Sequence, residues 1–135
     1  MTVYADTSFL IDLQRAERNP RHQAARRWLA ANPEVEIGIP VVVLGEFAEG
    51  FEDTVHPVIE HYRAAHRSVE IDAVVAMSYS RISRELRAGG KSIGANDTWI
   101  AATALAHRVA LLTRNGEHFR QVAGLALVEY GEESL

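Results

Sequence analysis

Short runs of apolar, often β-branched residues alternate along the whole chain with longer segments in which apolar residues recur every three or four positions. The short runs are typical of buried strands, and the longer segments are typical of helices with one apolar face. Strands that alternate with helices predict an α/β protein with a parallel sheet covered on both faces. The predicted strands are residues 3–5, 35–39, 69–71, 109–112 and 125–128.

Capping and helix-breaking residues set the ends of the predicted helices. Thr7 or Ser8 is the predicted N-cap of the first helix. Pro20 suits the first turn of a second helix, which should run to about Asn32. Further helices are predicted at about residues 42–51, 57–65, 72–88 and 96–105, and residues 113–118 are predicted to form a loop.

The composition narrows the class of protein. A length of 135 residues favours a single domain spanning residues 1–135. Hydrophobic residues at 47% and charged residues at 24% are ordinary for a globular protein. Without cysteine, thiol catalysis and cysteine-ligated zinc are excluded, and the net charge of −4 argues against coating nucleic acid by bulk attraction. No apolar run is long enough for a membrane span, and Asp6 and Asp12 interrupt any signal peptide, so a cytoplasmic location is expected.

Four separate segments place polar side chains near the carboxyl ends of predicted strands. Asp6 ends the first strand, and Glu46 lies in the helix after the second. Asp97 begins a later helix, and the loop after the fourth strand carries Asn115 and Glu117. Ligands of open α/β sheets bind beyond the carboxyl ends of the strands. These residues are therefore expected to meet at one edge of the sheet.

Clustered carboxylates repel one another, and a hard divalent cation is the simplest way to neutralise them. Mg²⁺ prefers oxygen ligands and can support hydrolysis of a phosphodiester bond. Each acid also has an ordinary structural interpretation. Asp6 can cap a helix, Asp97 can complement a helix dipole, and Glu46 can be a solvated surface charge. The joint pattern, rather than any one residue, indicates a metal-dependent hydrolase.

The joint pattern resembles the PIN-domain family and, within it, the VapC-type toxins of type II toxin–antitoxin systems. The resemblance spans nearly the whole chain. Its strongest part is Ile93–Ala104, which contains Asp97. The other matching motifs are Val3–Ser8, Val43–Glu46, Leu111–Phe119 and the pair Gly124-Leu125 before the last strand.

The resemblance implies a single PIN domain with three α/β/α layers around a mainly parallel sheet of four to five strands. It also implies an endoribonuclease that needs Mg²⁺ or Mn²⁺, with Asp6, Glu46 and Asp97 at the positions of the metal-binding acids. Asn115 stands where members often carry a fourth acid; it can orient a water or bind a metal through its carbonyl but adds no charge.

Three further residues border the expected site. Glu117 is a candidate replacement for the missing fourth acid at Asn115. Thr7 and Ser8 are candidates for contacts with a metal-bound water or with a substrate phosphate.

The resemblance also implies an RNA substrate, a cognate antitoxin and a homodimer. Two other interpretations stay open at this point. A phosphotransferase of the haloacid-dehalogenase type also places an Asp after its first strand, but it normally needs a second Asp where this chain has Ser8. A catalytically impaired PIN-like module that binds RNA or protein is favoured by Asn115 and opposed by the three retained acids.

Overall fold

The computed structural model describes residues 1–53 and 55–131. Five strands form one sheet, and every neighbouring pair is parallel. This confirms the predicted α/β class with a parallel sheet. The strands are β1 (Thr2–Ala5), β2 (Glu36–Pro40), β3 (Arg67–Val69), β4 (Ala110–Thr113) and β5 (Leu127–Glu129). The predicted domain of residues 1–135 includes position 54 and residues 132–135, which lie outside the described residues, so its extent stays a prediction.

Helices connect the strands and cover the sheet. The helices assigned within the described residues are α1 (Thr7–Ala16), α2 (Ala24–Ala31), α3 (Val41–Glu49), α4 (Pro57–Ala65), α5 (Ala73–Ala88), α6 (Ala95–His107) and α7 (Gly116–Phe119). Within the same part of the chain, no helix is both long and apolar enough to cross a bilayer.

The strand order creates a switch point beside β1. The sheet runs β3-β2-β1-β4-β5, so the chain builds outward from β1 on one side and then returns to β1 on its other side. A crevice opens at the carboxyl ends of the strands where the order reverses, and this is where α/β folds of this kind bind ligands. The segments after β1 and β4 border this crevice.

Buried apolar strands fix the register at the switch point. Val3, Tyr4 and Ala5 of β1 are almost fully buried, as are Leu111 and Leu112 of β4. Ala5 pairs with Leu112, and the backbone N–H of the next residue, Asp6, donates to the carbonyl of Leu112 over 3.1 Å. Because a slip by one residue would turn these side chains to the wrong face, the register is strongly specified. It places Asp6 beside Thr113.

A glycine allows β2 to approach β1 closely. The position of a Cβ on Gly38 would lie 2.8 Å from the aromatic ring of Tyr4. The Tyr4 ring then spans the core, and its hydroxyl lies 2.8 Å from Nδ1 of His107 at the end of α6. The N-terminal strand and α6, which carries Asp97, are therefore tied together.

The second helix begins later than the sequence predicts. It starts at Ala24 instead of Pro20, because side chains hold the intervening turn in a non-helical form. The side-chain amide of Gln23 donates to the carbonyls of Ala16 and Asn19 over 2.8 and 2.9 Å. The carbonyl oxygen of the Asn19 side chain also accepts from the backbone N–H of Arg21. Such local bonds compete with helix formation.

Candidate active site

Asp6 lies at the junction of β1 and α1 and is only 4% exposed. Its Oδ1 accepts hydrogen bonds from the backbone N–H of Phe9 at 3.1 Å and from the Ser8 hydroxyl at 2.6 Å. Its Oδ2 accepts a short hydrogen bond of 2.5 Å from the hydroxyl of Thr113. The carboxylate is therefore held rigidly by three neutral donors.

The N-cap of α1 is Asp6 itself, so the prediction of Thr7 or Ser8 at this position is wrong. The Asp6 carboxylate reaches the N–H of Phe9, three residues along, in the usual capping geometry. This frees the hydroxyls of the first helical turn for other acceptors. Ser8 turns back to Asp6, and Thr7 points across the edge of the sheet to Glu46.

Glu46 projects from α3, the helix that follows β2, and is partly buried. Its two carboxylate oxygens are held by donors from different parts of the chain. Oε1 accepts from the Thr7 hydroxyl over 2.6 Å, and Oε2 accepts from the side-chain amide of Asn96 over 3.1 Å. Glu46 thus links the start of α1 to the start of α6, where Asp97 lies.

Asp97 occupies the first turn of α6, where a negative charge complements the helix dipole. Its Oδ2 lies 2.9 Å from Nε2 of His118, which projects from the short helix α7. Both side chains are partly exposed, at 34% for Asp97 and 28% for His118. Asp97 therefore faces the solvent-accessible crevice while one of its oxygens is engaged.

The segment after β4 brings Asn115 and Glu117 to the rim. The backbone N–H of Asn115 donates to the Thr113 hydroxyl oxygen over 2.8 Å, and Thr113 in turn donates to Asp6. The Asn115 side chain is exposed, and Glu117 is exposed in the first turn of α7. The predicted loop of residues 113–118 therefore contains part of a short helix, which had been missed because four residues are too few to show a helical period.

The electrostatics indicate that the three acids influence one another. Burial raises the pKa of Asp6 above its ordinary value, despite the hydrogen bonds from Ser8 and Thr113, and the charge of Asp97 raises it further. Burial also raises the pKa of Asp97; the hydrogen bond and charge of His118 lower it, and the charge of Glu46 raises it. The crevice thus concentrates negative charge that its own residues do not fully balance.

These acids do not by themselves form a complete cage for a metal ion. Among residues 1–53 and 55–131, no group of three or more His, Asp or Glu side chains is arranged to hold an ion as it stands. Mg²⁺ in proteins is commonly held by only one or two carboxylates and keeps several of its waters. Asp6 and Asp97 offer hard oxygen donors of that kind, and the pKa of each is raised by burial and, to a smaller extent, by a neighbouring negative charge. The donor set therefore fits a hydrated, hard dication.

Three residues of this site were not predicted as part of it. Thr113 and Asn96 were assigned no role there, and a role for His118 was not expected. Thr113 is the first residue of the predicted loop of residues 113–118 and the last residue of β4, so its hydroxyl was a usable signal. Asn96 and His118 act across 50 and 21 residues of sequence, and only the packing of α6 and α7 reveals their contacts.

The parallel sheet with an acidic crevice at its switch point defines an α/β protein that binds its ligand at the carboxyl ends of the strands. Comparison with known proteins identifies the family. A profile of the PIN domain matches residues 3–125. The chain belongs to the PIN-domain family. This match does not support the haloacid-dehalogenase interpretation. Ser8 also stands where that chemistry needs an acid, and it donates its hydroxyl proton to Asp6.

Similar proteins support the same assignment. The chain is 31% identical over 121 residues to Ribonuclease VapC4 of Mycobacterium tuberculosis. The aligned region covers 84% of this chain and 86% of the relative. The fold matches the DNA-bound VapBC of Salmonella typhimurium with a TM-score of 0.81 at 21% identity, covering 96% of this chain and 99% of that one. It matches VapBC2 of Rickettsia felis, bound to a promoter DNA fragment, with a TM-score of 0.79 at 21% identity and coverages of 96% and 99%.

Proposed function

We propose that this chain is the toxin of a toxin–antitoxin pair and that it hydrolyses RNA phosphodiester bonds with Mg²⁺ or Mn²⁺. The observation that carries the proposal is the meeting of Asp6, Glu46 and Asp97 at the carboxyl edge of a PIN-domain sheet, where burial and mutual repulsion raise the pKa of Asp6 and Asp97. A site with unbalanced negative charge is suited to a dication and not to direct contact with phosphate.

Asp6 and Asp97 are the proposed principal metal ligands, and Glu46 completes the site directly or through a water. When bound, Mg²⁺ or Mn²⁺ supplies an activated water and stabilises developing charge on a phosphoryl oxygen. The chain supplies the positions of the ligands. Ser8 and Thr113 fix both oxygens of Asp6, and Thr7 and Asn96 fix those of Glu46.

Thr7 and Ser8 are better suited to orienting acids than to binding RNA. A hydroxyl has one proton to donate. Thr7 donates it to Glu46, and Ser8 donates it to Asp6. Neither hydroxyl can donate to a phosphate oxygen at the same time. Asn115 and Glu117, whose side chains are exposed at the rim, are the proposed sites of contact with a substrate or with its bound waters.

The alternative of a binding module without catalysis finds no support beyond Asn115. All three acids are retained, and the hydrogen bonds around them hold two of them, Asp6 and Glu46, by both oxygens. A scaffold that only bound RNA would gain nothing from a buried carboxylate with a raised pKa.

The decisive test of this function is cleavage of RNA by the purified chain. We expect cleavage with Mg²⁺ or Mn²⁺, none in excess EDTA, and recovery when the ion is restored. Asp6→Asn should lower the rate by at least about 100-fold, because it removes a ligand's charge while retaining its shape. Equal rates in Asp6→Asn and the unaltered chain would reject the assigned roles.

An antitoxin partner, a homodimer and a cytoplasmic location complete the proposal. The two solved structures named above are both VapBC complexes bound to DNA. By analogy, an antitoxin segment is proposed to cover the acidic crevice, with a basic side chain entering it. Co-expression with an antitoxin encoded beside this chain should yield a co-purifying complex that cleaves no RNA. A chain that remains a partnerless monomer at micromolar concentration would count against this part.

A further inference from the structure

His118 makes a long-range contact from α7 to the acidic crevice. Its Nε2 lies 2.9 Å from Oδ2 of Asp97, across 21 residues of sequence. His118 does not contact Oδ1, the second oxygen of the same carboxylate. Asp97 therefore differs from Glu46, whose two oxygens both accept hydrogen bonds.

The short helix that carries His118 is fixed to the sheet. Its first residue, Gly116, packs so closely on β5 that a Cβ there would lie 1.8 Å from Oε1 of Glu129. Arg120, just after the helix, donates to both carboxylate oxygens of Glu129 over 3.1 Å. Phe119 is fully buried and meets the His118 ring edge to face at a centroid distance of 5.4 Å. The imidazole is thus presented to Asp97 from a rigid element.

We propose that His118 is a positioning residue that holds Asp97 by Oδ2 and so directs Oδ1 to the dication. Hydrogen-bond partners of metal ligands orient them and commonly change metal affinity by about 10–100-fold when they are removed. An exposed Asp side chain would otherwise sample several rotamers, and each would have to be restricted on binding. His118 removes that cost in advance.

A purely structural role is the competing explanation, since the contact also ties α6 to α7. The two roles differ in what a matched set of variants should do. His118→Phe keeps the ring volume and loses the donor, whereas His118→Gln places an amide donor near the position of Nε2. His22→Phe, the same substitution at an exposed histidine in the segment before α2, serves as the control.

The test is titration of each purified, metal-free variant with Mn²⁺ by calorimetry, without RNA. We expect His118→Phe to bind Mn²⁺ about 10–100-fold more weakly, His118→Gln to recover most of the affinity, and His22→Phe to match the unaltered chain. Thermal unfolding should show His118→Phe and His118→Gln to be folded alike. If His118→Phe does not fold, His118→Ala replaces it in the same comparison. Unchanged or tighter Mn²⁺ binding without the donor, or failure of His118→Gln to recover affinity, would overturn the proposal.

This inference rests on the proposed function, and the two can fail separately. If the unaltered chain binds Mn²⁺ with the expected dependence on His118 but cleaves no RNA, the nuclease proposal fails and the positioning role stands. If it cleaves RNA with a dication and His118→Phe binds Mn²⁺ equally well, the positioning role fails and the nuclease proposal stands. Absence of any Mn²⁺ binding by the unaltered chain overturns both.

Discussion

Two buried carboxylates at α1 have opposite surroundings. Asp6 is 4% exposed and Asp12 is 8% exposed. Asp12 has a partner at each oxygen: the hydroxyl of Tyr130 donates to Oδ2 over 2.7 Å, and the guanidinium of Arg114 forms an ion pair with Oδ1 at 3.4 Å. The donors to Asp6 among the described residues are all neutral, and its charged neighbour is another acid, Asp97.

This difference is the one expected between an acid with a structural role and an acid that binds a cation. A buried charge is tolerated when a partner of opposite charge and good hydrogen bonds compensate it. Asp12 meets this condition within the chain. Burial raises the pKa of Tyr130, and the hydrogen bond and charge of Asp12 raise it further, so the phenol remains a proton donor. Asp6 lacks a cationic partner in the described structure, which is the condition expected of a site that receives its positive charge from outside.

The largest expected effect is on activity. Asp6→Asn should reduce metal-dependent RNA cleavage by at least about 100-fold, whereas Asp12→Asn should change it by less than about 3-fold in protein that remains folded. The measurement is the single-turnover cleavage rate, with folding checked by circular dichroism. A comparable loss of rate in folded Asp12→Asn would erase the distinction between the two acids.

The next largest effect is on stability and should follow from removing a hydrogen bond to Asp12. Tyr130→Phe removes the donor at 2.7 Å from a buried carboxylate and should lower the free energy of unfolding by about 1–3 kcal/mol. Tyr79→Phe is the matched control, because Tyr79 stacks on Trp99 through its ring at a centroid distance of 3.9 Å. Urea denaturation of both variants measures the difference. Equal, small losses would show that the Asp12 cluster contributes little.

The contribution of Asp6 to stability should fall as pH rises. Its folded pKa is raised above the ordinary value of 3.8, so between those two values the folded chain binds more protons than the unfolded chain. The stability contributed by protonated Asp6 is full below the unfolded pKa and is lost as pH rises through the folded pKa. Asp6→Asn stays neutral and escapes this loss.

Urea denaturation in EDTA, from about pH 4 to about pH 8, measures this linkage. The stability of Asp6→Asn relative to the unaltered chain should increase as pH rises and then level off. A relative stability that is constant with pH, or that falls as pH rises, would mean that folding does not raise the pKa of Asp6.

The smallest effect is expected at the rim. Asn115→Asp adds a negative charge at the position where family members often carry an acid, and it should tighten Mn²⁺ binding by a few-fold, at most about 10-fold. Asn115→Ser, which adds no charge, is the control. Calorimetric titration distinguishes them. Equal affinities for Asn115→Asp and the unaltered chain would place Asn115 outside the influence of the metal site.

The edge on which the acids meet was predictable because parallel strands end on the same side of a sheet. Asp6 follows β1, Glu46 lies within α3, which follows β2, and Asp97 lies in the first turn of α6. The PIN-domain motifs also predicted the family, which the profile match confirms. The roles of Asp6, Glu46 and Asp97 in binding metal remain a prediction.

The finer arrangement depends on packing that a linear pattern does not record. Thr7, a predicted helix cap, instead donates its hydroxyl proton to Glu46, which lies 39 residues away. The Asp12–Tyr130 bond spans 118 residues and was likewise not predicted. Local sequence signals therefore predicted the edge of the sheet at which the acids lie. Long-range contacts determine which buried carboxylate has a partner of opposite charge.

Thermal unfolding with and without Mn²⁺ tests the central claim most directly. A ligand that binds only the folded chain stabilises it by about 2.7 kcal/mol at 100 times its Kd. We predict that Mn²⁺ raises the Tm of the unaltered chain and of Tyr130→Phe by the same amount and leaves that of Asp6→Asn nearly unchanged. An equal rise in Asp6→Asn, or no rise in the unaltered chain, would contradict the claim that the charge of Asp6 is balanced by a bound dication.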